Sequence, residues 1–125
     1  MDITPAIPAG RQVVDAYGGA GFRITRQRHD GSVLVFPTET LAWPVATMSD
    51  LNAGLLQPIV DRAADVEVLL IGCGPSIAFL NPDLRAMLKE HGIVVDLMDT
   101  GAACRTYNVL LAEDRRVAAA LMAVD

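Results

Sequence analysis

Residues 66–122 alternate between two patterns, and that alternation excludes most architectures. "VEVLLIG" is a continuous apolar run of the kind found in strands buried on both faces. "NPDLRAMLKEHG" follows at helical spacing, with Leu84, Met87 and Leu88 as its apolar stripe. Asn81 suits an N-cap, Pro82 the first helical position, Asp83 the positive end of the dipole, and Gly92 the stop. "IVVDLM" reads as a second apolar strand, Thr100 is placed to cap another helix running to about Ala112, and "RVAAALM" reads as a final strand. Strand, helix, strand, helix, strand implies crossover connections and largely parallel neighbours. The short connection at Asp114-Arg115 leaves the direction of the last strand open.

The first half has period two. "FRITRQRH" and "SVLVF" read as strands joined by a hairpin at Asp30-Gly31, residues that tolerate positive φ. "ETLAWPV" is expected as a third strand, with Pro44 pointing to an edge or a strand end and Trp43 expected to be buried. "YGGAG", at 17–21, reads as a turn or bulge. Asp50 is a cap for a helix from Leu51 to about Ala64, kinked or delayed by Pro58. These N-terminal strands either extend the sheet of the second half or pack as a second small one. No linker or composition break divides the 125 residues, so one α/β domain is expected over 1–125, with 1–10 as a flexible N-terminal arm.

Composition removes several functional classes. A net charge of -5 and a single lysine, Lys89, argue against a nucleic-acid partner, and the alternating Arg23, Arg26 and Arg28 read as the solvated side of a strand. No run approaches the ~18 apolar residues of a membrane span. "MDITPAIPAGRQ" has neither a basic n-region nor an apolar core, so no signal peptide is expected. Two cysteines make no disulfide framework, and the expected location is the cytoplasm.

In an open α/β sheet, ligands bind beyond the carboxyl ends of parallel strands. Two loops qualify, "GCGPS" and "MDTGAACRTYN", and they gather Gly72, Cys73, Gly74, Ser76, Asp99, Thr100, Cys104 and Arg105. A dinucleotide fingerprint would need a third glycine where Ile77 stands, and a Walker loop would need a lysine. Pro75 also removes an N–H that a phosphate would use. Nucleotide binding is therefore not expected. Cys104 near a helix start, beside Arg105, raises the possibility of a stabilised thiolate, with Cys73 approaching from the neighbouring loop. His29 and His91 read as surface or capping residues, and Ser76 sits in no nucleophile elbow. No complete catalytic motif is present, and neither a metal nor a cofactor is expected.

"MDTGAACRTYNVLLAEDRRVAAALM", with "VEVLLIGCGPS" and "YGGAGFRI", resembles the Mth-type domain family over about 12–122. The specific part of the resemblance is Asp99, Thr100, Cys104, Arg105, Thr106, Tyr107 and Asn108. The resemblance implies a single three-layer α/β domain with a mixed central sheet: N-terminal antiparallel hairpins, then βαβαβ. The family includes a mitochondrial respiratory complex I assembly factor, so the expectation is a non-enzymatic binding or assembly protein whose partners are respiratory-chain subunits. Self-association is also compatible. The competing expectation is an anionic-ligand or thiol-redox site between 72–76 and 99–105. Its discriminating residue is Arg105: satisfied by carbonyls it is structural, and facing an open cleft it favours an anion.

Overall fold

The computed structural model describes residues 9–125. The expected N-terminal arm falls outside the described residues except for Ala9 and Gly10, which are exposed. Two sheets form. β1 (Val14–Gly18), β2 (Gly21–Ile24) and β3 (Gln27–Asp30) make a small antiparallel sheet. β4 (Val33–Phe36), β5 (Glu39–Ala42), β6 (Val68–Gly72), β7 (Val94–Met98) and β8 (Val117–Leu121) make the central sheet, in the order β5-β4-β8-β6-β7. β8 runs parallel to β6 and antiparallel to β4, which settles its direction and makes the sheet mixed.

Alternation along the central strands divides the core in two. Leu34, Phe36, Leu69, Ile71, Ala118 and Ala120 face one side, where α2 (Pro82–Glu90) and the 43–66 segment pack. Val33, Val35, Leu70, Val117, Ala119 and Leu121 face the other, against α3 (Thr100–Ala112) and the inner face of the small sheet, Phe22 and Ile24. The crossovers explain the two-sided cover. β6 leads through α2 outward to β7, and β7 leads back through α3 to β8, so the helices lie on opposite faces. All five residues of β8 are buried, and its run of Ala118, Ala119 and Ala120 lets both layers come close.

Three local expectations change. "FRITRQRH" is not one strand: it folds back at Thr25-Arg26, both at positive φ (47° and 69°), so that Ile24 pairs with Gln27. Neighbours hold this unfavourable turn in place. The Thr25 N–H donates to the Val13 carbonyl at 2.8 Å, and the Arg26 N–H donates to Asp15 Oδ2 at 2.7 Å. Asp30-Gly31 consequently closes no hairpin; it carries the chain from the small sheet into the central one. The long helix expected over 51–64 is instead a series of short turns at Met48–Asp50, Ala53–Leu56 and Ala63–Asp65 around a one-turn α1 (Gln57–Val60). Asn52 caps one of these turns by accepting from Leu55 N–H at 3.1 Å, and Pro58 falls in the first turn of α1, where its missing N–H is harmless. Finally, Asp99, not Thr100, is the N-cap of α3, accepting from Ala102 N–H at 2.9 Å.

The other elements form as the local chemistry dictates. Asn81 caps α2 through the Asp83 N–H, β5 is an edge strand ending before Pro44, and Trp43 is buried with its Nε1–H donating to the Leu55 carbonyl at 2.9 Å. No helix among the described residues is long and apolar enough to cross a membrane.

Candidate functional site at the carboxyl end of the sheet

The loops after β6 and β7 do meet, since those strands are parallel neighbours. What fills the crevice between them is the protein's own backbone. The Thr100 N–H donates to the Gly74 carbonyl at 2.8 Å. The Thr100 hydroxyl donates to the Met122 carbonyl at 2.7 Å and accepts from the Gly74 N–H at 3.0 Å. Thr100 is fully buried, so this network joins the end of β6, the start of α3 and the end of β8 in a dry environment. Gly72 is required by the same approach. A Cβ there would lie 3.0 Å from the Thr100 Cα and 3.1 Å from Leu121 Cδ2. "GCGPS" is thus a strand end onto which a helix start is closely seated.

The structure separates the two thiols. Cys73 belongs to the core on the α2 side and Cys104 to the core on the α3 side. Both are buried and free. Burial pushes the Cys104 thiol up to about 12, against the opposing influence of the Arg105 charge. Desolvation outweighs both the helix start and the arginine, which favours the reading of Cys104 as a buried core thiol over the competing one of a stabilised thiolate.

The remaining motif residues divide by face. Tyr107 is buried and donates its hydroxyl to the Gln12 carbonyl at 3.1 Å. Asn108 clamps edge strand β1, accepting from Val14 N–H at 3.1 Å and donating to the Val14 carbonyl at 2.8 Å. Both anchor the small sheet to α3. Ser76 is exposed on the loop after β6, beside Ile77 and Phe79, which are 65% and 78% exposed.

Arg105 is exposed on α3 and has no hydrogen-bond or ion-pair partner among the described residues. It lines a cleft of about 370 Å³ between β1 and α3, together with Tyr17, Asp15 and Asn108. The Arg105 site therefore opens toward β1 and away from 72–76. Tyr17 was legible only as part of a turn; the signal that would have found it is its packing over Gly101, which no local pattern encodes.

A second cleft, of about 330 Å³, lies at the opposite end of β8 and was not foreseen. Its arginines are already engaged: Arg11 with Asp114 at 3.2 Å, Arg62 with Glu39 and over the Phe36 ring, and Arg115 with Glu67 at 2.9 Å. Mutual neutralisation leaves this cleft little net attraction for a charged ligand. The Arg23, Arg26 and Arg28 side chains are exposed as expected, with Arg28 tied to the Gly18 and Gly19 carbonyls.

The architecture and the site together define a class. This is a mixed α/β domain whose most distinctive motif builds the fold and leaves Arg105 without a partner among the described residues. A Bordetella pertussis protein described as a Mth938-like domain superposes with a TM-score of 0.83 at 31% identity, covering 98% of this chain and 92% of that one. A crystal structure titled as an outer membrane protein from Bartonella henselae gives a TM-score of 0.87 at 41% identity, covering 96% of this chain and all of that one (100%).

The family model described as protein of unknown function (DUF498/DUF598) matches residues 14–122, and the chain belongs to that family. Among curated relatives, NADH dehydrogenase (ubiquinone) 1 alpha subcomplex assembly factor 3 of Xenopus tropicalis is 31% identical over 109 residues, which are 87% of this chain and 60% of that protein. The Homo sapiens protein of the same name is 28% identical over 109 residues. An uncharacterised Rhodobacter capsulatus protein is 39% identical over 114 residues, covering 91% of this chain and 86% of the relative. The chain thus spans about 60% of the length of the assembly factor it matches.

Proposed function

We propose that this chain is a non-enzymatic assembly protein, acting in the cytoplasm on newly made subunits of respiratory complex I. The relatives named as assembly factors supply the class of activity. The observation that carries the reading is the loop after β6, where Ile77 and Phe79 stand 65% and 78% exposed outside any helix or strand. Large apolar side chains left exposed on a loop favour a partner that covers them. Tyr17, 44% exposed, lies on β1, which packs against α3.

The test is capture from native cells followed by identification of complex I subunits. The unmodified protein is expected to retain at least one such subunit. The double variant Ile77→Ser/Phe79→Ser is expected to melt at an unchanged temperature, because exposed positions shift stability by no more than about 0.5 kcal/mol, and to lose that subunit. A deletion strain with normal complex I, together with no subunit recovered, would sink the reading.

A further inference from the structure

We propose that the cleft between β1 and α3 is a carboxylate-recognition site, in which Arg105 and Tyr17 hold an acidic side chain of the protein partner. The proposal rests on the assembly reading and assigns the chemistry by which that partner is recognised. Gly101, buried beneath the phenol, lets Tyr17 lie close to α3 beside Arg105. A Cβ at Gly101 would lie 2.9 Å from Tyr17 Cζ, in still closer contact with its hydroxyl, and 3.4 Å from Arg105 Nη1. The phenol and the guanidinium therefore converge on one point above a residue without a side chain. Both are donors, and neither is used by the described residues. A planar fork and a hydroxyl match the two oxygens of a carboxylate.

The neighbouring groups leave those donors free. Asn108 spends both ends of its amide on Val14. The nearest acids are turned to backbone N–H groups: Asp15 Oδ2 accepts from Arg26 at 2.7 Å, and Asp99 Oδ1 from Ala102 at 2.9 Å. Neither forms an ion pair with Arg105. A cleft of about 370 Å³ takes a side chain with its flanking backbone. A phosphate dianion fits less well, because one arginine meets it without a second cation while the charge of Asp15, which also lines the cleft, opposes a dianion more than a single carboxylate.

The full chain, labelled with nitrogen-15, is titrated with N-acetylglutamate N-methylamide, with its glutamine analogue, and with inorganic phosphate. Only the glutamate derivative is expected to shift the Tyr17, Gly101 and Arg105 amides, with a Kd on the order of 1 mM, as suits a single carboxylate. Arg105→Gln is expected to abolish the shifts, and Tyr17→Phe to weaken binding several-fold. Arg105→Lys, which keeps the charge without the fork, falls between. Each variant is expected to melt with the unmodified protein. Equal shifts from the glutamine analogue, or shifts from phosphate alone, overturn the proposal. Capture separates the two levels: if Arg105→Gln retains the complex I subunit undiminished, the carboxylate site is wrong while the assembly role stands. If the unmodified chain retains no subunit and a deletion strain keeps normal complex I, the assembly role fails whatever the titration shows.

Discussion

At the scale of single residues, the most distinctive positions hold the fold closed. Thr100 is the clearest case, because one hydroxyl satisfies the Gly74 N–H and the Met122 carbonyl in a fully buried setting. Thr100→Val keeps the shape and removes both bonds, and is expected to cost about 1–3 kcal/mol, whereas Thr100→Ser retains most of the stability. Gly72→Ala places a methyl 3.0 Å from the Thr100 backbone, and overpacking of that kind costs about 1–3 kcal/mol. Urea midpoints measure all three. Cys104 gives a pH signature. Its folded pKa lies above its ordinary value of 9.0, so the folded state holds the proton more tightly than the unfolded state. Stability from this group is complete below pH 9.0 and declines as pH rises toward about 12. Tyr107, also raised by burial, acts in the same direction. Cys104→Ala is expected to flatten the early part of that decline in melting temperature, and an unchanged profile would show that the thiol is not the group responsible.

At the scale of elements, the contact of α3 with β1 decides how the small sheet is held. An edge strand needs partners for its outward backbone groups, and Asn108 supplies them at Val14 as a further strand would. Asn108→Ala leaves both groups of Val14 unpaired and is expected to cost about 1–3 kcal/mol by chemical denaturation. A fall smaller than about 0.5 kcal/mol, the usual surface value, would mean that water replaces the amide. The elements also show what was legible beforehand. β6, α2, β7, α3 and β8 could be read because caps, stripes and apolar runs are local signals. The turn at Thr25-Arg26 could not, since neither residue type favours positive φ and the turn is fixed by Val13, just before β1, and Asp15 within it. The 51–64 segment fails as a helix because Asn52 starts a separate turn and Pro58 can only enter at a helix start. At the candidate site, Arg105 was legible from the motif. Tyr17 was not, because it meets α3 only in the folded chain.

At the scale of the molecule, the central sheet is shared by two cores while the small sheet belongs to one. β8 is paired on both sides and buried along its whole length. Its amides are thus released only when both cores open. The β1–β3 sheet packs by one face, and its outer positions, including Ala16, Arg23 and Arg28, are exposed. Opening it exposes Phe22 and Ile24 but leaves the α2-side core intact. Native-state hydrogen exchange is therefore expected to show β8, with its neighbours β4 and β6, exchanging only through global unfolding, and β1–β3 exchanging faster through a partial opening. Asn108→Ala should accelerate β1–β3 disproportionately, because it removes a tie that only the small sheet uses. If β1–β3 and β8 exchange at one common free energy in both proteins, the two sheets unfold as a single unit. The β1–α3 cleft would then be a rigid receptor instead of one whose β1 wall can move with its sheet.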